Sequence, residues 1–333
     1  MAGFKENDIR PAELMKAKEG LLEEDKEFLR SRKVEFVLVN CPACGSQDRD
    51  LWGEKEGFEH SICKACSTVY MNPRASQDLM HRFYSRSKNY DFWNKHIFPA
   101  SENVRREKIF RPRAQKVVDY CRKFAVEGGT ILEVGAAFGT FCECIRELNY
   151  FRRIIAVEPT HALAETCRQR GFETIEAPVE SLTLEKGSVD VVVNFEVIEH
   201  LFDPASFVST CTDYLRKGGL FICACPNIDA LGTLVLKEKA KVIDHEHVNH
   251  FNPASLSMLF ETVGLEVIEV STPGELDAEL LKNALQEDEH LREEQPFFSR
   301  LLLGCDESVM ADFQGLIRRS KLSSHMWLVG RKR

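Results

Sequence analysis

The chain has 333 residues, 44 Lys and Arg against 52 Asp and Glu, and 44% hydrophobic residues. That length suits two domains or one large domain with a satellite, and the composition is that of a globular protein rather than a disordered or fibrous one. A formal net charge of −8 argues against a broad basic face for nucleic acid and leaves only a local basic groove open.

No window approaches the roughly 18 apolar residues of a membrane helix, and MAGFKENDIRPAELMK lacks a signal-peptide core. A cytoplasmic protein with no membrane partner is expected, and its 12 cysteines should stay reduced. Residues 1–35 carry dense mixed charge with Leu14, Leu21, Leu22, Phe28 and Leu29 at helical intervals, which predicts one amphipathic helix after Pro11, a helical arm. Residues 36–75 hold Cys41 and Cys44 in CPACG and Cys63 and Cys66 in CKAC, with 18 residues between the pairs. This is the spacing of a four-cysteine zinc ribbon. LWGEKEGFEHSI between the pairs reads as strand, turn and strand. Four thiolates close a tetrahedral shell, so the Zn2+ would be structural. A redox pair fits less well, since neither CxxC opens a helix in a βαβ unit. The other eight cysteines (121, 142, 144, 167, 211, 223, 225 and 305) read as small core residues.

Residues 76–113 form a helical connector rich in aromatic residues and arginine. Tyr90, Trp93, Arg105, Arg106, Arg111 and Arg113 suit stacking on a ring and pairing with a phosphate or carboxylate, and Tyr90, Trp93 and Arg111 are taken as acceptor contacts. The alternative is a helix packed on a sheet with its arginines in solvent. From 114 to 333 the pattern alternates: helix AQKVVDYCRKF, strand TILEV, a Gly-rich turn, helix TFCECIREL, strand RIIAV, a helix over about 161–170, TIEA, VDVVVNF, helix PASFVSTCTDYLRK and strand LFICAC. Such alternation implies an α/β fold with a parallel sheet covered on both faces. Residues 275–322, between LEVIEVST and MWLVGRK, are helical by pattern and acidic, an insertion before the last strand that suits a lid.

The first β–α junction reads EVGAAFGTF. Gly135 and Gly139 let the backbone pass under a ligand, and the next helix offers free N–H groups. Ala137 takes the middle position of the dinucleotide fingerprint GxGxxG, so a ligand without a diphosphate fits better. Glu158 ends the second strand 19 residues after Gly139, where a carboxylate accepts ribose hydroxyls. A solvated strand end is the plainer reading.

EVGAAFG, VEP at 157–159, NFEVIEHLFDP at 194–204 and YLRKGGLFICACPN at 214–227 together resemble the successive motifs of class I S-adenosylmethionine-dependent methyltransferases, in order over 114–271. The resemblance implies a seven-stranded Rossmann-like sheet and S-adenosylmethionine as donor. It places Gly135, Ala137 and Gly139 under the methionine moiety, with Glu133 bracing the turn. Glu158 and Pro159 would meet the ribose, Pro178 and Val179 the adenine, and Asn194, Phe195 and Glu196 the sulfonium end. Glu199 and His200 read as support for the cofactor floor rather than as catalytic groups.

With the ribbon, the resemblance narrows to bacterial methyltransferases that carry an N-terminal zinc module, many acting on sugars or related metabolites. Nucleotide-sugar C-methyltransferases among them share an HEH element, here His245, Glu246 and His247, followed by His250. Asp244 stands where a tyrosine is expected, and their large third domain is not seen, so O- and C-methylation both stay open.

Methyl transfer is an in-line displacement whose acceptor hydroxyl or carbon needs a general base. His247 is assigned that role, with Glu246 orienting it or taking the proton, His245 supporting them and His250 touching the substrate. Two alternatives stay open: the segment caps the next helix through Asn252 before Pro253, or His245, His247, His250 and Asp244 bind a metal ion. The expected function is methyl transfer to a small molecule, a sugar or nucleotide-sugar. An RNA or protein methyltransferase gripping its substrate through the ribbon is disfavoured because residues 41–73 hold only Arg49, Lys55 and Lys64 as basic groups. A non-catalytic ribbon adaptor is the third reading. Oligomeric state is not legible.

Overall fold

The computed structural model describes residues 6–333; the first five residues of the expected arm lie outside that range. After Pro11 the arm is two helices, Ala12–Ala17 and Glu19–Arg30, rather than one. The break falls at Lys18, two residues before the poor helix former Gly20, and the Lys18 ammonium sits 5.2 Å over the Trp93 ring.

The ribbon supplies β1 (Arg49–Lys55), β2 (Phe58–Cys63) and β3 (Val69–Met71). The connector then winds helically from Lys88 to Lys123, with wider π-type turns at Trp93–Ile97 and Arg106–Phe110. Each wide turn lies just ahead of a proline, Pro99 or Pro112, whose missing N–H cannot continue the regular ladder. The connector therefore runs without a boundary into the helix expected at 114.

The following strands are β4 (Thr130–Val134), β5 (Arg153–Val157), β6 (Glu173–Ile175), β7 (Val189–Phe195), β8 (Leu215–Pro226), β9 (Asn249–His250), β10 (Leu265–Ser271) and β11 (His325–Lys332). Seven of them form one sheet in the order β10-β11-β8-β7-β4-β5-β6. β4 to β8 pair in parallel, whereas β11 runs antiparallel to both β8 and β10, so the sheet is mixed rather than wholly parallel. β10 and β11 are antiparallel neighbours, so the helical segment between them leaves and returns at the same edge of the sheet without a crossover. β7 reads VDVVVNF because both its faces are covered, and all but Asp190 is buried. Two apolar clusters fill the two sides, one around Leu132, Val192 and Phe221, the other around Ile131, Val193 and Ile222.

β9 belongs to a different sheet. Asn249 and His250 pair antiparallel with Tyr70 and Val69, completing a four-stranded ribbon sheet β9-β3-β2-β1. The ribbon also shares a core with the main domain, where Cys41, Ala43, Cys63 and Tyr70 pack with Phe251 and Leu256. A two-residue strand has no periodicity, which is why the sequence does not announce it. Residues 275–322 fold as four helices, Asp277–Glu287, Glu289–Glu294, Pro296–Leu303 and Glu307–Arg319, packed through Leu281, Leu285, Leu291 and Leu302 onto the helix Leu231–Leu236. Among the described residues no helix is long and apolar enough to cross a membrane.

Candidate active site

The turn after β4 is built from left-handed backbone. Gly135 has φ +81°, Ala137 +46° and Gly139 +71°, and a Cβ on Gly135 would lie 2.5 Å from Cγ2 of Val197. Glu158, buried at the end of β5, fastens this turn: its two carboxylate oxygens accept the N–H groups of Ala137 and Thr160, each at 2.9 Å. A carboxylate offers about four lone-pair sites; the Thr160 hydroxyl also bears on it, which still leaves room for a ligand's hydroxyl. Burial raises its pKa, and the neighbouring Tyr90 is pushed up to about 12 by burial first and then by the charges of Glu158 and Glu246. These residues fit the ribose and methionine ends of S-adenosylmethionine.

The rest of the expected cofactor set divides. Glu133 lies behind the turn, accepts from the Cys142 thiol at 2.9 Å, and is pushed up to about 8 by burial. Pro159 and Pro178 are exposed, but Val179 is buried in the core. Asn194 is also buried: its amide donates to the Val134 carbonyl at 3.3 Å, so it ties β7 to β4 instead of lining a cleft. Phe195 packs between Phe141 and Trp327, with ring centroids at 4.9 and 5.3 Å. Glu196, at φ +56°, pairs with Arg113 at 3.2 Å and His325 at 3.3 Å. Burial opposes its ionisation, but these two cations hold its carboxyl low.

Of the residues expected at the acceptor, Arg111 is on the surface, its fork committed to Glu107 and Glu147 at 2.8–3.0 Å, which withdraws it from the cleft. Trp93 lies between the Lys18 ammonium and the Arg105 guanidinium, against the arm. His250 is buried in β9, 5.5 Å from the His60 ring. His245 is buried against Phe83, with Nε2 3.6 Å from the Glu246 carboxylate. The metal set His245, His247, His250 and Asp244 is therefore not assembled, because β9 pairing turns His250 toward the ribbon and Phe83 takes His245. Capping is real as well: Asn252 accepts from Ser255 N at 2.8 Å while Ser255 Oγ accepts from Asn252 N, opening the helix Pro253–Thr262.

Glu246 and His247 do meet. Asp244 Oδ1 accepts the N–H groups of both, at 2.9 and 2.8 Å, in a tight Asx turn. Asn89 of the connector donates to Glu246 at 3.0 Å, and burial, then Asp244, raise Glu246 to about 7. Across from them stand Glu199 and His200, expected from the sequence only as support for the cofactor floor. The His200 and His247 rings are 4.7 Å apart, and one donor atom from each of Glu199, His200 and His247 lies within 4.8 Å of the others. Glu199 is 1% exposed and, among the described residues, neither of its oxygens has a hydrogen-bond partner; burial, then the charge of Glu196, push it well above the carboxylate range. The signal that could have found this pair was the EH step in the turn Ile198–His200 that follows β7, at the carboxyl edge of the sheet where ligands bind.

The link between this cluster and the ribbon is Asn249. Its amide nitrogen lies 3.2, 3.4 and 2.7 Å from the carbonyls of Ile198, Glu199 and Leu201, and its Oδ1 accepts from the buried Arg74 guanidinium at 2.9 Å. In the ribbon itself none of the four cysteines is in a disulfide; Cys41 and Cys66 sulfurs lie 3.4 Å apart, Cys44 and Cys63 sulfurs 3.5 Å apart, and all four within 4.8 Å of one another. Four sulfurs at about 2.3 Å from one zinc sit about 3.8 Å apart, so the cluster is compatible with one ion.

Sheet order and the glycine turn fastened by a buried carboxylate define an α/β domain with its site at the carboxyl edge of the sheet. Comparison with known proteins gives the class: residues 105–270 match the sequence model of a methyltransferase domain family. A probable S-adenosylmethionine-dependent methyltransferase of Mycolicibacterium smegmatis is 35% identical over 142 residues, 42% of this chain and 53% of that protein. The C-methyltransferase NovU of Streptomyces niveus is 30% identical over 47% of this chain and 38% of its own, and a ubiquinone biosynthesis O-methyltransferase of Caulobacter vibrioides 35% identical over 30% and 42%. The chain thus spans about half or less of the length of these relatives. A solved S-adenosylmethionine-dependent methyltransferase of Archaeoglobus fulgidus shares the fold, with a TM-score of 0.50 and 19% identity over 72% of this chain and 100% of that one. The chain carries a class I S-adenosylmethionine-dependent methyltransferase domain.

Proposed function

We propose that this protein transfers a methyl group from S-adenosylmethionine to a small polyhydroxylated acceptor of the sugar or nucleotide-sugar kind, in the cleft between Glu158 and the Glu246–His247 pair. The observation that carries this reading is that buried Tyr90 feels the charges of both Glu158, which fastens the glycine turn, and Glu246, whose carbonyl meets His200 beside His247. Similarity to both a C- and an O-methyltransferase supports the reaction type and leaves the accepting atom to experiment.

Gly135, Ala137 and Gly139 would hold the methionine end and Glu158 the ribose. Bound there, S-adenosylmethionine supplies a methyl on a positively charged sulfur. The chain's own groups do the rest. Tyr84 and Tyr90, at 6.2 Å from each other, and Asn89 wall the cleft against water. The Glu246–His247 pair takes the acceptor's proton as its oxygen or carbon approaches the methyl in line. Acceptor contacts from the connector reduce to Tyr90, with Arg113 near Glu196.

The four cysteines are proposed to hold one structural zinc, whose function is to fix β3 and, through it, β9 and the HEH loop. Cys63→Ser should lose about one equivalent of zinc per chain by elemental analysis. The deciding experiment is incubation with methyl-labelled donor and a panel of nucleotide-sugars and cell extract, with the label located by mass spectrometry. Label on a nucleic acid or a protein would replace the small-molecule reading, and no calorimetric binding of S-adenosylmethionine would sink it.

A further inference from the structure

We propose that Glu199, His200 and His247 form a second metal site, for a divalent transition-metal ion, on the acceptor side of the cleft. This deepens the methyltransferase reading and rests on it for the ion's role, though not for its binding.

Three observations converge. First, one donor atom from each of the three side chains lies within 4.8 Å of the other two. An ion at about 2.1 Å from each donor needs them about 3 to 3.5 Å apart, a difference that rotation of side chains covers without moving backbone.

Second, both imidazoles are oriented as metal ligands are. His247 Nδ1 lies 2.9 Å from the Val242 carbonyl and 3.2 Å from Asp244 Oδ2. His200 Nδ1 lies 3.1 Å from the Glu246 carbonyl and, more distantly, 3.4 Å from the Tyr84 hydroxyl, whose oxygen can accept the same N–H. A carbonyl only accepts, so each Nδ1 carries the proton and each Nε2 keeps its lone pair. An outer carboxylate or carbonyl holding the far N–H is the usual support of a metal-bound histidine.

Third, Glu199 has two buried oxygens and no hydrogen-bond partner for either among the described residues. A buried carboxylate in that state is costly unless a proton or a cation satisfies it. Both facing rings present lone pairs and cannot donate to it, so a cation is the group that would satisfy all three at once.

Two imidazoles and one carboxylate leave coordination positions open, unlike the four thiolates of the ribbon. Vicinal oxygens of the acceptor would fill them, which holds one hydroxyl in line with the methyl donor. With Nε2 of His247 on the ion, Glu246 is the member of the pair left to take the acceptor's proton. The oxygen then bonds to the methyl as the methyl–sulfur bond breaks, releasing the neutral thioether.

The test uses the full chain, dialysed against EDTA and titrated with Co2+. Wild type should bind about one Co2+ with visible d–d bands and without the near-ultraviolet thiolate charge transfer that cobalt in the cysteine site would give. Glu199→Gln and His247→Gln should each weaken that binding by about 10-fold or more. Zinc content and helical circular dichroism should stay unchanged, which excludes a folding defect, and His247 is only partly buried. Absence of Co2+ binding in wild type, or equal binding by both variants, overturns the site. Calorimetry with S-adenosylmethionine on the same samples tests the methyltransferase reading separately, since donor binding does not depend on this ion.

Discussion

The two walls of the proposed cleft, donor and acceptor, are made in opposite ways. The donor wall is local: Gly135 to Glu158 span one β–α–β unit, and its key contacts are backbone N–H groups of Ala137 and Thr160 on one carboxylate. The acceptor wall is assembled from afar, with Asn89 meeting Glu246 across 157 positions and Arg74 meeting Asn249 across 175. A wall made of backbone tolerates changes of nearby side chains but not of backbone conformation. A wall made of distant side chains can be dismantled one contact at a time, without touching donor binding.

The largest effect should sharpen that division. His247→Ala is expected to lower turnover by about 10²- to 10⁴-fold, while the dissociation constant for S-adenosylmethionine in calorimetry stays near its wild-type value. Loss of donor binding in this variant would break the comparison. On the other wall, Gly135→Ala places a Cβ 2.5 Å from Val197 at φ +81°. Left-handed strain of about 1–3 kcal/mol per residue, added to that clash, should weaken donor affinity by about 100-fold. The separate Co2+ binding of the Glu199 cluster should survive, which equilibrium dialysis would read.

The same division explains what was legible in the sequence. TILEV, RIIAV and VDVVVNF were readable as strands to the residue, because each is an apolar run bounded by turn residues. Gly135, Gly139 and Glu158 could be placed because their chemistry acts within a short stretch. Asn194 and Val179 were assigned to the cleft by the motif they belong to, yet burial puts both inside. Arg111 looked available because a sequence does not reveal that Glu147, one helix away, occupies its fork. Glu199 and His200 drew their meaning only from His247, 47 positions after His200, through a ribbon strand of two residues. Long-range pairing of so short a segment leaves no periodic trace.

Asn249 is the joint between ribbon and acceptor wall. Asn249→Ala removes a donor shared by three carbonyls of the 198–201 turn and leaves the buried Arg74 without its Oδ1 acceptor. Uncompensated buried polar groups cost about 1–3 kcal/mol each, so chemical denaturation should show a loss of about 2 kcal/mol. Turnover should fall by about 10-fold, because the Glu199–His200 turn loosens relative to His247, with donor affinity unchanged. An unaltered turnover would show that the ribbon joint stabilises the fold without positioning the cluster.

The smallest effect tests the donor wall's independence of surface side chains. Arg153 on β5 and Glu173 on β6 form a fork pair at 2.5–2.8 Å, on the strand that ends at Glu158. Both side chains are nearly half exposed, at 48% and 45%, so water and salt screen the pair. Arg153→Ala should therefore cost less than about 0.5 kcal/mol and leave donor affinity unchanged. If donor affinity instead fell several-fold, the strand end would owe its position to an edge contact, and the donor wall would be assembled from side chains like its opposite. Invariance would locate its precision in the parallel β4–β5 ladder and the two backbone N–H groups on Glu158.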